Sequence, residues 1–209
     1  MNNKVRVALA LFAFALAGGA LADEGPFEVR VRGVYLDMAN NSDAIPALKV
    51  PQDAIHVNSK WIPEVDLEYF ITKHWSSELV LTYPQKQTVT ITQSALGPLD
   101  VGTFKHLPPT LTAKYNFMPD AAFRPYVGAG VNFTLITNVD LAIPGLNMSR
   151  QSWGPAGQVG FDYKIADHWF ANMDVKYVML RADVYAGTTK ISQARLDPWL
   201  IGIGGGYRF

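Results

Sequence analysis

A chain of 209 residues with 18 basic and 18 acidic side chains has no net charge, so nothing in it favours a polyanion, and nucleic acid is excluded as a partner. It has no cysteine, which rules out disulfides, thiolate metal sites and a cysteine nucleophile. Hydrophobic residues make up 49% of it, yet after the first residues no run approaches the roughly 20 apolar positions of a membrane helix, so a helical membrane protein is excluded too.

The N-terminus reads as an export signal. Lys4 and Arg6 give a basic start, Val7 to Leu16 is apolar, Gly18 and Gly19 break the run, and Ala20-Leu21-Ala22 forms a cleavage site before Asp23. Residues 1–22 are expected to be removed and residues 23–209 to form one domain, with no internal repeat or linker.

From Phe27 onward the dominant period is two. Phe27 to Tyr35 alternates strictly, and the pattern returns at Val65–Ile71, Trp75–Tyr83, Leu111–Phe117, Phe123–Phe133, Val159–Ile165, Trp169–Met179 and Trp199–Phe209. Segments of about ten residues suit tilted membrane strands. Their connections alternate in size. Thr72-Lys73-His74, Met118–Ala122 and Ala166-Asp167 are short, whereas Met38–Lys60, Pro84–His106, Leu135–Ser152 and Arg181–Arg195 are long. Short periplasmic turns and long outer loops give this rhythm.

One parity of these strands, with Val29, Val31, Leu67, Leu79, Val127, Val159, Met173 and Ile201, carries no charge, while the other carries Glu28, Arg30, Arg32, Glu64, Asp66, Glu68, Glu78, Lys114, Arg124, Asp162, Lys164, Asp174, Lys176 and Arg208. A soluble sandwich would bury the first set. Three features turn it toward lipid instead. Aromatics gather on the apolar parity at the strand ends, Tyr69, Trp75, Tyr115, Tyr163, Trp169 and Tyr207 at one level and Tyr35, Tyr83, Phe133, Tyr177 and Trp199 at the other, as two girdles. The charged parity balances acids against bases, as enclosed charges must. The chain ends Tyr207-Arg208-Phe209, which resembles the terminal-strand signal read by the outer-membrane assembly machinery and makes that machinery an expected partner. The expected fold is all-β: an eight-stranded antiparallel transmembrane β-barrel with short periplasmic turns and four long extracellular loops, in contact with outer-membrane lipid of a Gram-negative cell.

Eight strands enclose room for side chains or one small ligand, so a wide aqueous pore is not expected. Near the periplasmic end the inward residues Glu28, Arg30, Glu68, Glu78, Lys114, Arg124, Asp162, Lys164, Asp174 and Arg208 read as a polar plug. Toward the outside the inward residues Val34, Leu36, Val178, Leu180 and Leu200 are apolar, Gly128, Gly130 and Gly160 leave space beside them, and Trp153 is a candidate cap, or else part of the outer girdle. That is the composition of a hydrophobic ligand site. Pro63, Pro108, Pro109, Pro155 and Pro198 fall near the outer rim, where a residue without an N–H weakens the wall and marks a lateral exit. No enzyme, cofactor or metal is expected: His74 and His168 fall in short turns, and His56 and His106 lie in outer loops with no catalytic motif around them.

Several stretches resemble the OmpW family (OmpW/AlkL-like barrels). They are Trp61-Ile62-Pro63-Glu64-Val65-Asp66-Leu67-Glu68-Tyr69, His106-Leu107-Pro108-Pro109-Thr110-Leu111, Arg124-Pro125-Tyr126-Val127-Gly128-Ala129-Gly130-Val131-Asn132, Gly154-Pro155-Ala156-Gly157-Gln158-Val159-Gly160, Asn172-Met173-Asp174-Val175-Lys176-Tyr177 and Asp197-Pro198-Trp199-Leu200-Ile201-Gly202-Ile203-Gly204. These motifs lie on strands; the long loops carry none. The resemblance implies an eight-stranded barrel with a hydrophobic channel, passive passage of small hydrophobic solutes across the outer membrane, and lateral release. The alternative is a structural or receptor-type barrel whose outer loops bind a surface partner.

Overall fold

The computed structural model describes residues 24–209; the export signal read at residues 1–22 lies outside them. In chain order, β1 (Phe27–Asp37) leads to an outer segment with β2 (Asn41–Ser42), a 3₁₀ turn at Pro46–Leu48 and β3 (Ile55–Val57). β4 (Lys60–Phe70) returns and a tight turn starts β5 (Trp75–Leu81). An outer hairpin, β6 (Gln85–Ile91) and β7 (Leu99–Leu107), precedes β8 (Thr110–Asn116). Then follow β9 (Phe123–Leu141), β10 (Leu146–Met148), β11 (Gln151–Lys164) and β12 (Trp169–Val178). A second outer hairpin, β13 (Arg181–Ala186) and β14 (Thr189–Arg195), leads into β15 (Trp199–Arg208).

Eight of these strands, β1-β4-β5-β8-β9-β11-β12-β15, form an antiparallel ring. It closes where β1 pairs with β15, from Glu28 opposite Arg208 to Asp37 opposite Trp199. The expected barrel is the one observed, and the alternation explains it. Val31, Leu67, Leu111, Val127, Val159 and Ile203 are exposed on its outer face, while Arg30, Arg32, Glu68, Glu78 and Lys114 are buried inside. Closure leaves no unpaired edge in lipid, the condition any spanning sheet must meet.

Three strands are longer by five residues or more than the alternation alone suggests. β4 begins at Lys60 rather than Val65, β11 at Gln151 rather than Val159, and β9 continues to Leu141 rather than ending at Phe133. Pro63 and the Gly154-Pro155 pair mask the period in the first two. Pro63 sits in the strand because its N and O face the side on which β5 has already ended. β9, at about 3.3 Å per residue, spans about 60 Å and so rises well beyond a hydrocarbon band of about 25 Å.

The four outer connections carry strands of their own. β7, β6 and β3 add to the projecting half of β9, and β10-β13-β14-β2 form a second sheet. The sheets bury Ile45, Ile55, Phe104, Ile136, Met148 and Leu196, an apolar core continuous with Leu36, Ile62, Val178 and Leu200 inside the barrel.

Candidate functional site: a charged plug beneath an apolar chamber

The inward parity supplies two stacked charge layers. In the lower, Arg30 pairs with Asp162 (Nη2, 2.7 Å), Glu78 (2.8 Å), Glu28 (2.9 Å) and Glu68. Lys114 adds bonds to Glu68 (2.9 Å) and Glu78 (3.0 Å) and lies 3.7 Å from the centre of the Tyr126 ring. In the upper, Arg32 meets Asp66 (2.7 Å), Glu64 (2.9 Å) and Asp174 (3.4 Å), and Lys176 reaches Glu64 (3.4 Å). Neutral groups join the layers: the Tyr126 hydroxyl donates to Asp174 (3.0 Å), and the Asn172 amide donates to Asp162 (2.8 Å) and to the Tyr126 oxygen (3.0 Å). Gln158 donates to Glu78 (3.0 Å) and Thr112 (3.1 Å). Buried charges persist only with such partners.

Arg124, Lys164 and Arg208, read as part of the plug, gather at its periplasmic rim around Glu24 at 2.7, 2.7 and 3.4 Å. Arg124 and Arg208 also lie over the Phe170 and Phe70 rings, at 4.8 and 3.7 Å. Burial alone would raise the Glu24 carboxyl, but hydrogen bonds and charge from Arg124 and Lys164 overcome it and hold the group at about 2. The sequence reading left Arg32, Glu64, Asp66 and Lys176 out of the plug, although their parity already pointed inward. Tyr126, Asn172 and Gln158 carried no charge to betray them.

The closing seam carries the two arginines. β15 presents Gly202, Gly204 and Gly206 beside Arg32 and Arg30. A Cβ at Gly206 would stand 2.7 Å from Glu28 Oε1 and 3.0 Å from Arg30 Cγ, and one at Gly204 would stand 2.1 Å from the Val31 carbonyl oxygen. Gly128 and Gly160 act likewise. They were expected to open space in the outer chamber, but they admit the Lys114, Gln158 and Tyr126 side chains to the plug, while Gly130 lets the β8 backbone approach.

Above Lys176 and Glu64 the lining changes to Leu36, Ile62, Val80, Val178, Leu180 and Leu200, around a free volume of about 20 Å³. Val34 is buried just below Leu36. A second apolar space of about 40 Å³ lies among Ile55, Phe104, Met148 and Leu196 between the outer sheets. A third, of about 440 Å³, opens at the surface beside Leu48, Leu96, Leu99 and Ile143. The two inner spaces hold little more than a water each, so the path is closed by side chains in this structure. Trp153, a candidate cap, is outside it: 68% exposed, it packs on Phe133 at 4.3 Å in the outer girdle, because β11 puts residue 153 on the lipid-facing parity.

The prolines separate into two places. Pro63 and Pro108-Pro109 flank the end of β5. There the β4–β5 ladder stops at Val65–Leu81 and the β5–β8 ladder at Val80–Thr110. Side chains replace the missing backbone bonds: Thr82 Oγ1 donates to the Pro63 carbonyl (2.7 Å) and Lys60 Nζ to the Lys86 carbonyl (2.6 Å). Thr82 and Pro108 line the inner chamber directly. Pro155 and Pro198 flank the end of β12, and there the expected weakness is not found. The Met179 and Val178 N–H groups donate to the Pro155 and Pro198 carbonyls (3.0 and 3.1 Å), Leu196 N–H donates to the Leu180 carbonyl (2.9 Å), and Pro198 is buried against the chamber.

His74 and His168 donate from Nδ1 to the carbonyls of Asn116 and Arg208 (both 2.8 Å) and tie down the periplasmic turns. His56 sits at the surface by Asp53. His106 does not lie in an open loop: β7 carries it into the chamber, where burial, with the charge of Lys60, lowers it to about 4. The Phe209 ring lies edge-on to Tyr207 at 4.9 Å, and Phe209 donates its N–H to the Phe27 carbonyl, 2.9 Å.

The OmpW family model matches residues 23–209. Outer membrane protein W of Vibrio cholerae is 35% identical over 197 residues, 89% of each chain. The dibenzothiophene metabolism operon protein PahQ of Pseudomonas aeruginosa is 28% identical over 202 residues, 94% of each. Among solved structures, that of OprG from Pseudomonas aeruginosa superimposes with a TM-score of 0.76 at 30% identity, over 88% of this chain and 96% of that one. A match across every described barrel strand, joined to an identity of 35% over 89% of a relative, fixes the assignment: this chain belongs to the OmpW family, β-barrels of the Gram-negative outer membrane.

Proposed function

We propose that this barrel is a passive conduit for small hydrophobic molecules, which enter from outside through the apolar core of the outer sheets and leave sideways into the bilayer. One observation carries the reading. An apolar chamber stands on an ion-paired charged floor, and beside it the wall between β4 and β8 is held by side chains rather than by a backbone ladder. The floor blocks straight passage to the periplasm; the weak wall at Pro63, Thr82 and Pro109 supplies the way out. A relative named for a dibenzothiophene metabolism operon fits traffic in apolar compounds.

The test compares uptake of labelled octane into cells with the wild-type barrel, with none, and with Leu36→Asp or Leu200→Asp. Faster uptake with the wild type and a return to background in both variants is the expected result. Equal rates with and without the barrel defeat the reading and favour a surface-binding role for the outer sheets, which a charge in the chamber leaves intact.

A further inference from the structure

The chamber is not uniformly apolar. His106 on β7 lines its upper part, and Gln87 on β6 lies against His106; they are 1% and 0% exposed. Their side-chain nitrogens Nε2 are 3.2 Å apart, one hydrogen bond between two polar groups. The remaining atoms of the pair, His106 Nδ1 and Gln87 Oε1, have no hydrogen-bond partner among the described residues. Buried polar atoms are rarely left so, and one that is calls for an explanation. The surroundings supply none. The Phe104 ring lies edge-on to His106 at 6.0 Å, Ile136 stands opposite it on β9, and Leu36, Ile62 and Leu180 line the same chamber.

The chemistry left over is specific. A neutral imidazole has one donor and one acceptor nitrogen, and an amide has one acceptor oxygen and one donor nitrogen. If Gln87 donates to His106, the atoms left over are a donor on His106 and an acceptor on Gln87. If the amide is turned, they are an acceptor on His106 and a donor on Gln87. Either way the pair offers one donor and one acceptor beside the apolar side chains of the chamber, whose other polar lining groups, Glu64, Thr82, Thr110, Asn132 and Lys176, already have partners. A hydroxyl satisfies both at once, a carbonyl satisfies one, and a hydrocarbon satisfies neither. The low pKa of His106 keeps it in the neutral form that this matching requires.

We propose that His106 and Gln87 are a specificity-determining polar site in the conduit, which takes small apolar molecules ending in a hydroxyl in preference to the corresponding hydrocarbons. This rests on the conduit reading only for its role in transport; as a binding site it stands by itself. The experiment uses the full mature chain, labelled with ¹⁵N-histidine, in lipid nanodiscs, with 1-octanol and n-octane as probes. The His106 signals are identified by their absence in His106→Phe. The expected result is a shift of the His106 Nδ1 resonance by 1-octanol and none by n-octane. In Gln87→Leu, which retains the histidine, half-saturation is expected at about tenfold more 1-octanol, the worth of a lost hydrogen bond. No shift with 1-octanol, or the same shift with both probes, overturns the site and leaves internal water as the partner of the two atoms. If 1-octanol binds as expected but the barrel speeds uptake of neither probe into cells, the conduit reading fails and the site remains.

Discussion

Arg30 is the side chain on which the plug depends most. It touches four carboxylates from three other strands and its own, and it is completely buried. Removing one member of a buried charged network leaves its partners uncompensated at about 3–5 kcal/mol, so Arg30→Met should destabilise the barrel by that amount in urea unfolding from lipid vesicles. Glu24 works at the rim and titrates differently. Its folded value of about 2 lies below the ordinary 4.5, so its contribution is complete above pH 4.5 and is lost as the pH falls through about 2. The group is partly exposed, which limits the effect to about 1 kcal/mol or less. The gap in thermal midpoint between wild type and Glu24→Gln should therefore be constant from pH 7 to about 4.5 and vanish near pH 2. Parity alone placed most of these residues inside the barrel. It gave no pairings, because partners such as Arg30 and Asp162 are 132 positions apart and meet only once the ring has closed.

Among the elements, β5 has the largest consequence for passage. It is seven residues long between neighbours of eleven and seven, and where it ends the chain crosses outward to β6, leaving Pro63 and Pro108-Pro109 without a backbone ladder on the β5 side. The chain has no native cysteine, so a pair introduced as Pro63→Cys with Thr82→Cys reports on this wall alone. Oxidation should stop octane uptake and a reductant should restore it, whereas the same treatment of Pro155→Cys with Met179→Cys should change nothing. The sequence marked both proline clusters as equal. It could not separate them, since the difference lies in what bridges the gap beyond the shorter strand, the Leu180 and Leu196 backbone at one cluster and the Thr82 and Lys60 side chains at the other. The outer hairpins were illegible for a related reason. Register shifts at Val89/Thr90 and Thr103/Lys105, and Gly102 at φ +137°, break the period of two by which strands are recognised.

For the molecule as a whole, the alternation of charge gave the barrel, its strand number and its orientation toward lipid, because a closed sheet has only two faces and the sequence labels both. The outer sheets add what the alternation did not show, an apolar core that continues the lumen beyond the membrane. The seam between β1 and β15 has a further consequence, for time rather than structure. The strand made last must meet the strand made first, and the arginines beside its glycines, which find Glu68 and Asp66 on neighbouring β4 without it, reach Asp162 on β11 and Asp174 on β12 only when it does. A half-zipped ring would hold these charges only partly paired, beside unpaired backbone edges of β1 and β15, in hydrocarbon. Such a form has no resting place on the pathway, so closure and opening are each a single concerted jump over a high barrier, and a barrel once sealed outlasts the conditions that would have prevented it from sealing.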